Sequence, residues 1–189
     1  MPLILASTSA IRGQLLTAAG VDFESVKPEV DEAELKLGMS DAATIAVRLA
    51  EAKALSVPRQ WVIGSDSVVT AGGRLFDKPR DREEAAEHLR FFSGKEMQLS
   101  SAVALASGER LNWSHGETAR LQVRTLSDAF IADYLEAEWP DVGYTVGVFR
   151  LEGRGVQLFE SIDGDHFTIL GMPLLPLLGA LRGRGLLIT

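Results

Sequence analysis

The chain has 189 residues, 46% of them hydrophobic, enough to bury the core of one generous domain or of two small lobes. A formal charge of -7 works against sequence-independent nucleic-acid binding, which needs Lys and Arg to displace counterions, and the absence of cysteine excludes disulfides, thiolate metal sites and cysteine nucleophiles. No apolar run approaches the ~20 residues of a bilayer crossing, and the start "MPLILAST" has neither a basic n-region nor a full-length h-region, so a cytoplasmic protein without a membrane partner is expected.

In chain order, "PLILA" reads as a short buried strand. "SAIRGQLLTAAG" has helical spacing, with Ser9 a candidate N-cap and Gly20 a candidate C′ residue. A strand at "FESVK", an acidic loop "PEVDEAE" and an alanine-rich helix over about Asp41 to Ser56 follow. "WVIG" and "SVVT" read as two strands, and "AGG" as a hairpin turn before "RLF". Asp81 and Glu84 form a capping-box pattern at the head of a helix ending near "FFSG". "MQLSSAVALA" and "LNWSHGETARLQV", separated by "SGER", predict a long antiparallel hairpin, and "SDAFIADYLEAE" another helix. Strands at "YTVGVF" and "VQLFESI" flank the glycine-rich "EGRG", and "PLLPLLGALR" is a final helix with Pro173 near its first turn. Helices alternating with strands, hairpins among them, predict an α/β fold on a mixed twisted sheet with flanking helices. No repeat or linker divides the chain, which reads as one domain over residues 1–189.

Several residues stand out against this pattern. Asp66 lies between two apolar strand runs, where an isolated carboxylate costs several kcal/mol unless it meets a cation, a metal or solvent. The alternative is a "GSDS" turn in which it bonds its own backbone. Gly64 would admit a closely approaching backbone. "ASTSAIR" gathers Ser7, Thr8, Ser9 and Arg12 where a strand feeds a helix. A cation in a first helical turn opposes the macrodipole by ~0.3–1 kcal/mol, so its presence suggests an anion such as phosphate; an ordinary cap beside a solvated arginine is the competing reading. Lys53 shares a helical face with Leu49 and Ile45, the core face, either to reach a site or to snorkel at its edge; Glu51, nearly opposite, is expected to be exposed. Lys78 sits on a Pro-stiffened loop. Asp31 and Glu32 could be solvated acids, or Glu32 could join Asp66 on a divalent metal that also binds substrate phosphates. "DGDH" reads as a turn. His88 and His115 lack partners at metal-ligand spacing, and the three tryptophans are not interleaved with basic residues as a stacking platform would require.

Taken together, "LILASTSAIRGQLL", "VDE", "EAKA", "VIGSDSVV", "DKPRD…AAEHLRFFSGK" and "LFESIDGDHFTILGMPLLPLLGAL" resemble the Maf family of nucleoside triphosphate pyrophosphatases. The likeness spans nearly the whole chain in order and is weakest at about Glu109 to Tyr144. The resemblance implies a cytoplasmic house-cleaning hydrolase of nucleotide metabolism, often a homodimer, with a Maf/ITPase-like arrangement of two lobes around a central cleft. It implies cleavage of a nucleoside triphosphate between the α- and β-phosphates with a divalent metal, Mg²⁺ or Mn²⁺. Position by position, the family's phosphate-binding turn falls on Ser7, Ser9 and Arg12 and its acidic motif on Glu32. Its catalytic residues fall on Asp66, Lys53, Lys78 and Glu32, and its metal ligands on Asp66 and Glu32.

In the family, three positions separate a branch taking dTTP and UTP from one taking 7-methyl-GTP, and here they fall on Ile11, Ser67 and Glu152. Glu152 resembles the methylguanine branch, since a carboxylate can accept from both N1–H and the N2 amino group of guanine. Ile11 departs from both branches, which have a tryptophan or an arginine there. "DVGYTVG" departs from the family's Asp-Lys-Ala-Gly sequence, so no role is assigned near Asp141. The expectation leans to a guanine-type base, against a dTTP/UTP enzyme, a catalytically silent nucleotide-binding regulator of cell division, or an acid/base hydrolase of uncharged substrates.

Overall fold

A computed structural model describes residues 3–58 and 61–188. Its strands are β1 (Leu3–Ala6), β2 (Phe23–Val26), β3 (Val62–Ala71), β4 (Arg74–Phe76), β5 (Glu96–Ser107), β6 (Arg110–Val123) and β7 (Phe159–Asp163). Its helices are α1 (Ala10–Ala18), α2 (Glu32–Lys36), α3 (Ala42–Leu55), α4 (Arg82–Phe92), α5 (Asp128–Glu138), α6 (His166–Ile169) and α7 (Leu174–Arg182). The strands form one sheet in the order β2-β1-β3-β5-β6-β7, with β4 paired to β3. β1 runs parallel to both β2 and β3, whereas β3–β4 and β6–β7 are antiparallel. The mixed α/β sheet is therefore as the alternation of elements predicts. Pro2, part of the expected first strand, lies outside the described residues.

Contacts divide the chain into two compact units. The first comprises Met1–Ser67, Ser100–Glu117 and Asp165–Thr189. Its center is β1, whose four residues are all buried because both sheet faces are covered, the condition under which a parallel strand reads as a continuous apolar run. Leu3 and Leu5 pack with Leu15 and Leu16 of α1 and with Leu174, Leu177 and Leu181 of α7. Ile4 and Ala6 face the other way, onto Val57 and Val62. Against β3 lies α3, so close that a Cβ on Gly64 would stand 2.1 Å from the Ala50 carbonyl and 2.4 Å from the Ala54 nitrogen. Only a residue without a side chain permits that approach. Glu51 is half-buried, not exposed, and accepts a hydrogen bond from Ser114 Oγ at 2.8 Å.

The second unit comprises Val68–Leu99 and Thr118–Gly164. β3 turns into β4 through Gly72 and Gly73, at φ +54° and +75°, the two left-handed residues that a tight hairpin turn requires. Phe76, Phe91 and Phe92 pack together, with the Arg74 guanidinium 4.7 Å from the Phe91 ring center. α4 and α5 are tied by Arg82–Glu136 at 2.9 Å and Arg90–Asp128 at 2.7 Å. The capping-box pattern is half realised: Asp81 accepts from the Glu84 N–H at 2.8 Å, but Glu84 accepts from the Arg80 N–H at 2.7 Å, not from that of Asp81.

Three expectations change. "WVIG" and "SVVT" belong to one ten-residue strand, β3, so Asp66 is a strand residue and the "GSDS" turn does not exist. The acidic loop contains α2, capped by Asp31, which accepts from the Glu34 N–H at 3.0 Å. "YTVGVF" is not a strand, and "VQL" belongs to a 3₁₀ turn over Arg154–Leu158 that precedes β7. In the first of these segments Val148 adopts φ +56°, a conformation that a β-branched side chain rarely takes, and its carbonyl accepts from Tyr134 Oη at 3.0 Å. Thr145 Oγ1 takes the Phe149 N–H at 3.1 Å. Alternating apolar residues mimic a strand there, but local side-chain partners engage the backbone instead.

Candidate active site

The geometry of the first unit follows from Gly64. Asp66 lies two residues further along β3 and so points to the same sheet face, the one that α3 touches. Lys53 neighbours Ala54 on α3, at the contact itself. The two side chains meet with Lys53 Nζ 3.2 Å from Asp66 Oδ1. Glu32, the first residue of α2, adds Oε1 at 2.7 Å from the same nitrogen. Arg12, in the first turn of α1, brings NH2 to 3.9 Å from Asp66 Oδ1. Two cations and two carboxylates from four elements thus converge at the C-terminal ends of the parallel strands β1 and the first half of β3, where open α/β sheets place their ligand sites.

The cluster is shielded from water: the side chains of Lys53, Arg12 and Asp66 are 9%, 10% and 13% exposed, while Glu32 is 46% exposed. Charges so placed are tolerated when paired and are costly to strand singly. Burial pulls the Arg12 guanidinium below its ordinary pKa, opposed by the attraction of Asp66 and then of Glu32.

Arg12 is held by neutral acceptors as well. Its Nε donates to the Gly171 carbonyl at 2.9 Å, NH2 to Ser67 Oγ at 3.1 Å and NH1 to Ser7 Oγ at 3.4 Å. Ser9 stands at the N-cap of α1 but its hydroxyl makes no cap bond; its N–H instead donates to Ser7 Oγ at 3.2 Å. The turn thus presents the Thr8 and Ser9 hydroxyls and an arginine beside a helix N-terminus, the donor set that phosphate oxygens accept. An open depression beside it is lined by Ser7, Thr8, Ser9, Gly13, Phe23 and Ser25, among others.

Of the residues singled out from the sequence, Ser7, Ser9, Arg12, Glu32, Lys53, Asp66 and Ser67 all lie in this unit around the cluster. Ile11 is half-buried on α1 beside Arg12. Lys78 and Glu152 belong to the second unit. Lys78 is exposed on the loop between β4 and α4. Glu152 is exposed at a turn braced by buried Glu138, which takes Arg150 NH2 at 3.2 Å and the Arg154 N–H at 3.3 Å. Three partners were not anticipated: the Gly171 carbonyl, Ser65 and Ser101. The trace of the two serines in the sequence is a set of hydroxyls inside apolar strands, Ser65 in β3 and Ser100–Ser101 in β5, all buried. Among the described residues no helix is long and apolar enough to cross a membrane, and no group of three or more His, Cys, Asp or Glu is placed to hold a metal ion. "DGDH" is the junction from β7 to α6: Asp163 ends the strand, and Asp165 caps α6 by accepting from the Thr168 N–H at 3.0 Å.

A family model described as Maf-like protein matches residues 2–184. The 7-methyl-GTP pyrophosphatase of Rhizobium meliloti (strain 1021) is 46% identical over 191 residues, which cover 97% of this chain and 96% of that protein. A nucleoside triphosphate pyrophosphatase of Nitrobacter hamburgensis is 46% identical over 192 residues, covering 98% of this chain and 95% of that protein. Among solved structures, the Staphylococcus aureus Ham1 protein aligns with a TM-score of 0.49 at 14% identity, over 97% of this chain and 100% of that one.

Proposed function

The chain belongs to the Maf-like family, and on that premise we propose that it hydrolyses nucleoside triphosphates between the α- and β-phosphates, releasing a monophosphate and pyrophosphate. The observation that carries this reading is the convergence of Arg12 and Lys53 on Asp66 in a shielded site, beside a hydroxyl-rich helix N-terminus suited to phosphate. Arg12 has five N–H groups, three of which are held by Gly171, Ser67 and Ser7; the other two are assigned to phosphate oxygens. Water attacks the α-phosphorus, the bond to the bridging oxygen breaks with its electron pair leaving on pyrophosphate, and Asp66 takes the water's proton. Lys53 and Arg12 stabilise the charge that accumulates on the leaving group. Lys78 is assigned to the same task by the family resemblance alone.

Asp66 and Glu32 fit a divalent cation, Mg²⁺ or Mn²⁺. Their oxygens already face one positive charge, the Lys53 ammonium, at 3.2 and 2.7 Å, and Mg²⁺ commonly takes one or two protein carboxylates with phosphate oxygens and waters. When bound, such an ion polarises a phosphoryl oxygen and lowers the pKa of coordinated water.

For the base, the proposal is a guanine type such as 7-methyl-GTP. Glu152 has the acceptor pair that guanine's two donors need, and the Rhizobium meliloti relative bears a matching name. A cytoplasmic homodimer is carried forward from the family, and sedimentation at micromolar concentration tests the dimer. The decisive experiment measures pyrophosphate and orthophosphate release with Mg²⁺ or Mn²⁺ from 7-methyl-GTP, dTTP, UTP, 5-methyl-UTP and ITP. Pyrophosphate release, strongest with 7-methyl-GTP, is expected. Preference for dTTP or UTP overturns the base assignment alone, and calorimetric binding without turnover identifies a silent regulator.

A further inference from the structure

Arg12 and Asp66 are opposite charges that do not close on one another. Their 3.9 Å separation exceeds the ~2.8 Å of a charge-assisted hydrogen bond, although both are shielded from water and attract strongly there. The guanidinium is held back by Gly171 O, Ser67 Oγ and Ser7 Oγ.

Counting protons defines the arrangement. The Gly171 carbonyl has two lone pairs but three donors within reach: Arg12 Nε at 2.9 Å, Ser65 Oγ at 3.1 Å and Ser67 Oγ at 3.2 Å. Ser65 has a shorter alternative in the Ala102 carbonyl at 2.8 Å. With Ser65 so engaged, Gly171 O is left to Arg12 and Ser67, while Ser67 Oγ accepts from Arg12 NH2 at 3.1 Å and shares a hydrogen bond with Ser101 Oγ at 2.9 Å. Gly171 is built for this place: at φ +102° it adopts a conformation that L side chains rarely reach, and a Cβ there would stand 3.3 Å from Ser67 Oγ and 3.8 Å from Arg12 Nε and NH2.

We propose that Ser67 and Gly171 are positioning residues for Arg12. They hold its guanidinium off Asp66 with N–H groups turned to the phosphates, so that Ser67 acts on the triphosphate of every substrate. This rests on the phosphate site assigned under the proposed function and concerns the same unit of the chain.

Inorganic tripolyphosphate, which has no base, is the probe. It is titrated calorimetrically into the wild type, Ser67→Ala, Ser67→Thr and Gly171→Ala, and kcat/KM is measured for the same proteins with 7-methyl-GTP, dTTP and UTP. Ser67→Ala and Gly171→Ala are expected to weaken tripolyphosphate by about tenfold, the scale of one hydrogen bond to a charged group, at unchanged stoichiometry. Ser67→Thr, which restores the hydroxyl, regains most of that loss, and Ser67→Ala lowers kcat/KM by one common factor for all three nucleotides. Unaltered tripolyphosphate affinity in Ser67→Ala overturns the proposal. So does a loss of binding sites at unchanged affinity, the mark of a merely structural role, or a loss confined to one base. Weakened tripolyphosphate binding in a protein that cleaves no triphosphate leaves the positioning role standing and removes the hydrolase reading; cleavage with Ser67→Ala unaffected does the reverse.

Discussion

Replacing Asp66 with Asn removes one negative charge and almost no volume. At an effective dielectric of about 20, Lys53 at 3.2 Å and Arg12 at 3.9 Å attract that charge by about 5 and about 4 kcal/mol gross. Most of this does not survive as net stability, because the carboxylate's desolvation cost disappears with it and Glu32 stays on Lys53. A loss of about 1–3 kcal/mol remains, below the ~3–5 kcal/mol of a fully buried pair broken on one side, and it lowers Tm by about 2–4 °C per kcal/mol in a chain of this size. Turnover responds differently: losing the proton acceptor lowers kcat by about 10²–10⁴, whereas affinity for tripolyphosphate without divalent metal is retained or tightened because the repelling charge is gone. Pyrophosphate release, a thermal melt and calorimetry on one preparation read all three quantities. A variant that still turns over within about tenfold of wild type, or that loses tripolyphosphate binding outright without divalent metal, refutes the role given to Asp66.

Gly64→Ala drives a methyl group to 2.1 Å from the Ala50 carbonyl, so α3 must shift. The expected cost is about 1–3 kcal/mol, seen in a denaturant titration, together with a kcat loss as Lys53 moves from Asp66. Glu152→Gln removes one acceptor for guanine's paired donors, and the kcat/KM ratio of 7-methyl-GTP to UTP is expected to fall by about tenfold or more; an unchanged ratio removes Glu152 from base selection. His88 packs edge-on against Phe76, and burial lowers its pKa below 6.5, opposed chiefly by Glu84 and Glu87. Because its folded-state pKa is depressed, the unfolded chain takes up the proton first and stability falls as pH drops below 6.5. His88→Leu is expected to flatten that part of the stability profile, and an unchanged acid slope refutes the assignment.

How much of this was legible beforehand depended on whether a feature was local. The cap at Asp81 was legible because it needs only the N–H of Glu84, three residues on, whereas Ser9 had the right residue type at an N-cap and makes no cap bond with its hydroxyl. Lys53 was visible as a cation on an apolar helical face, and Gly64 as a site of close approach, since each conflicts with its own element's pattern. The continuity of β3 through "GSDS" was hidden: polar residues there looked like a turn, and only the cations that α1 and α3 deliver make a buried strand aspartate tolerable. Gly171 O could not be found at all, because a carbonyl has no residue signature and its donors, Arg12, Ser65 and Ser67, are remote in sequence. "YTVGVF" failed for a related reason: a period of two describes side chains, whereas Tyr134 and Thr145 decided where that backbone bonds.

The short helix α2 has no buried residue, yet it supplies one of the two carboxylates that Lys53 joins. A segment held mainly by its own cap and by polar contacts opens at a small fraction of the global unfolding energy, so its amides should exchange deuterium well before those of α3. Brief protease treatment should likewise nick residues 28–40 while sparing the sheet. Half of the site's acidity therefore rests on a detachable piece, and substitutions along it can alter the charge facing Lys53 without disturbing the molecule's interior.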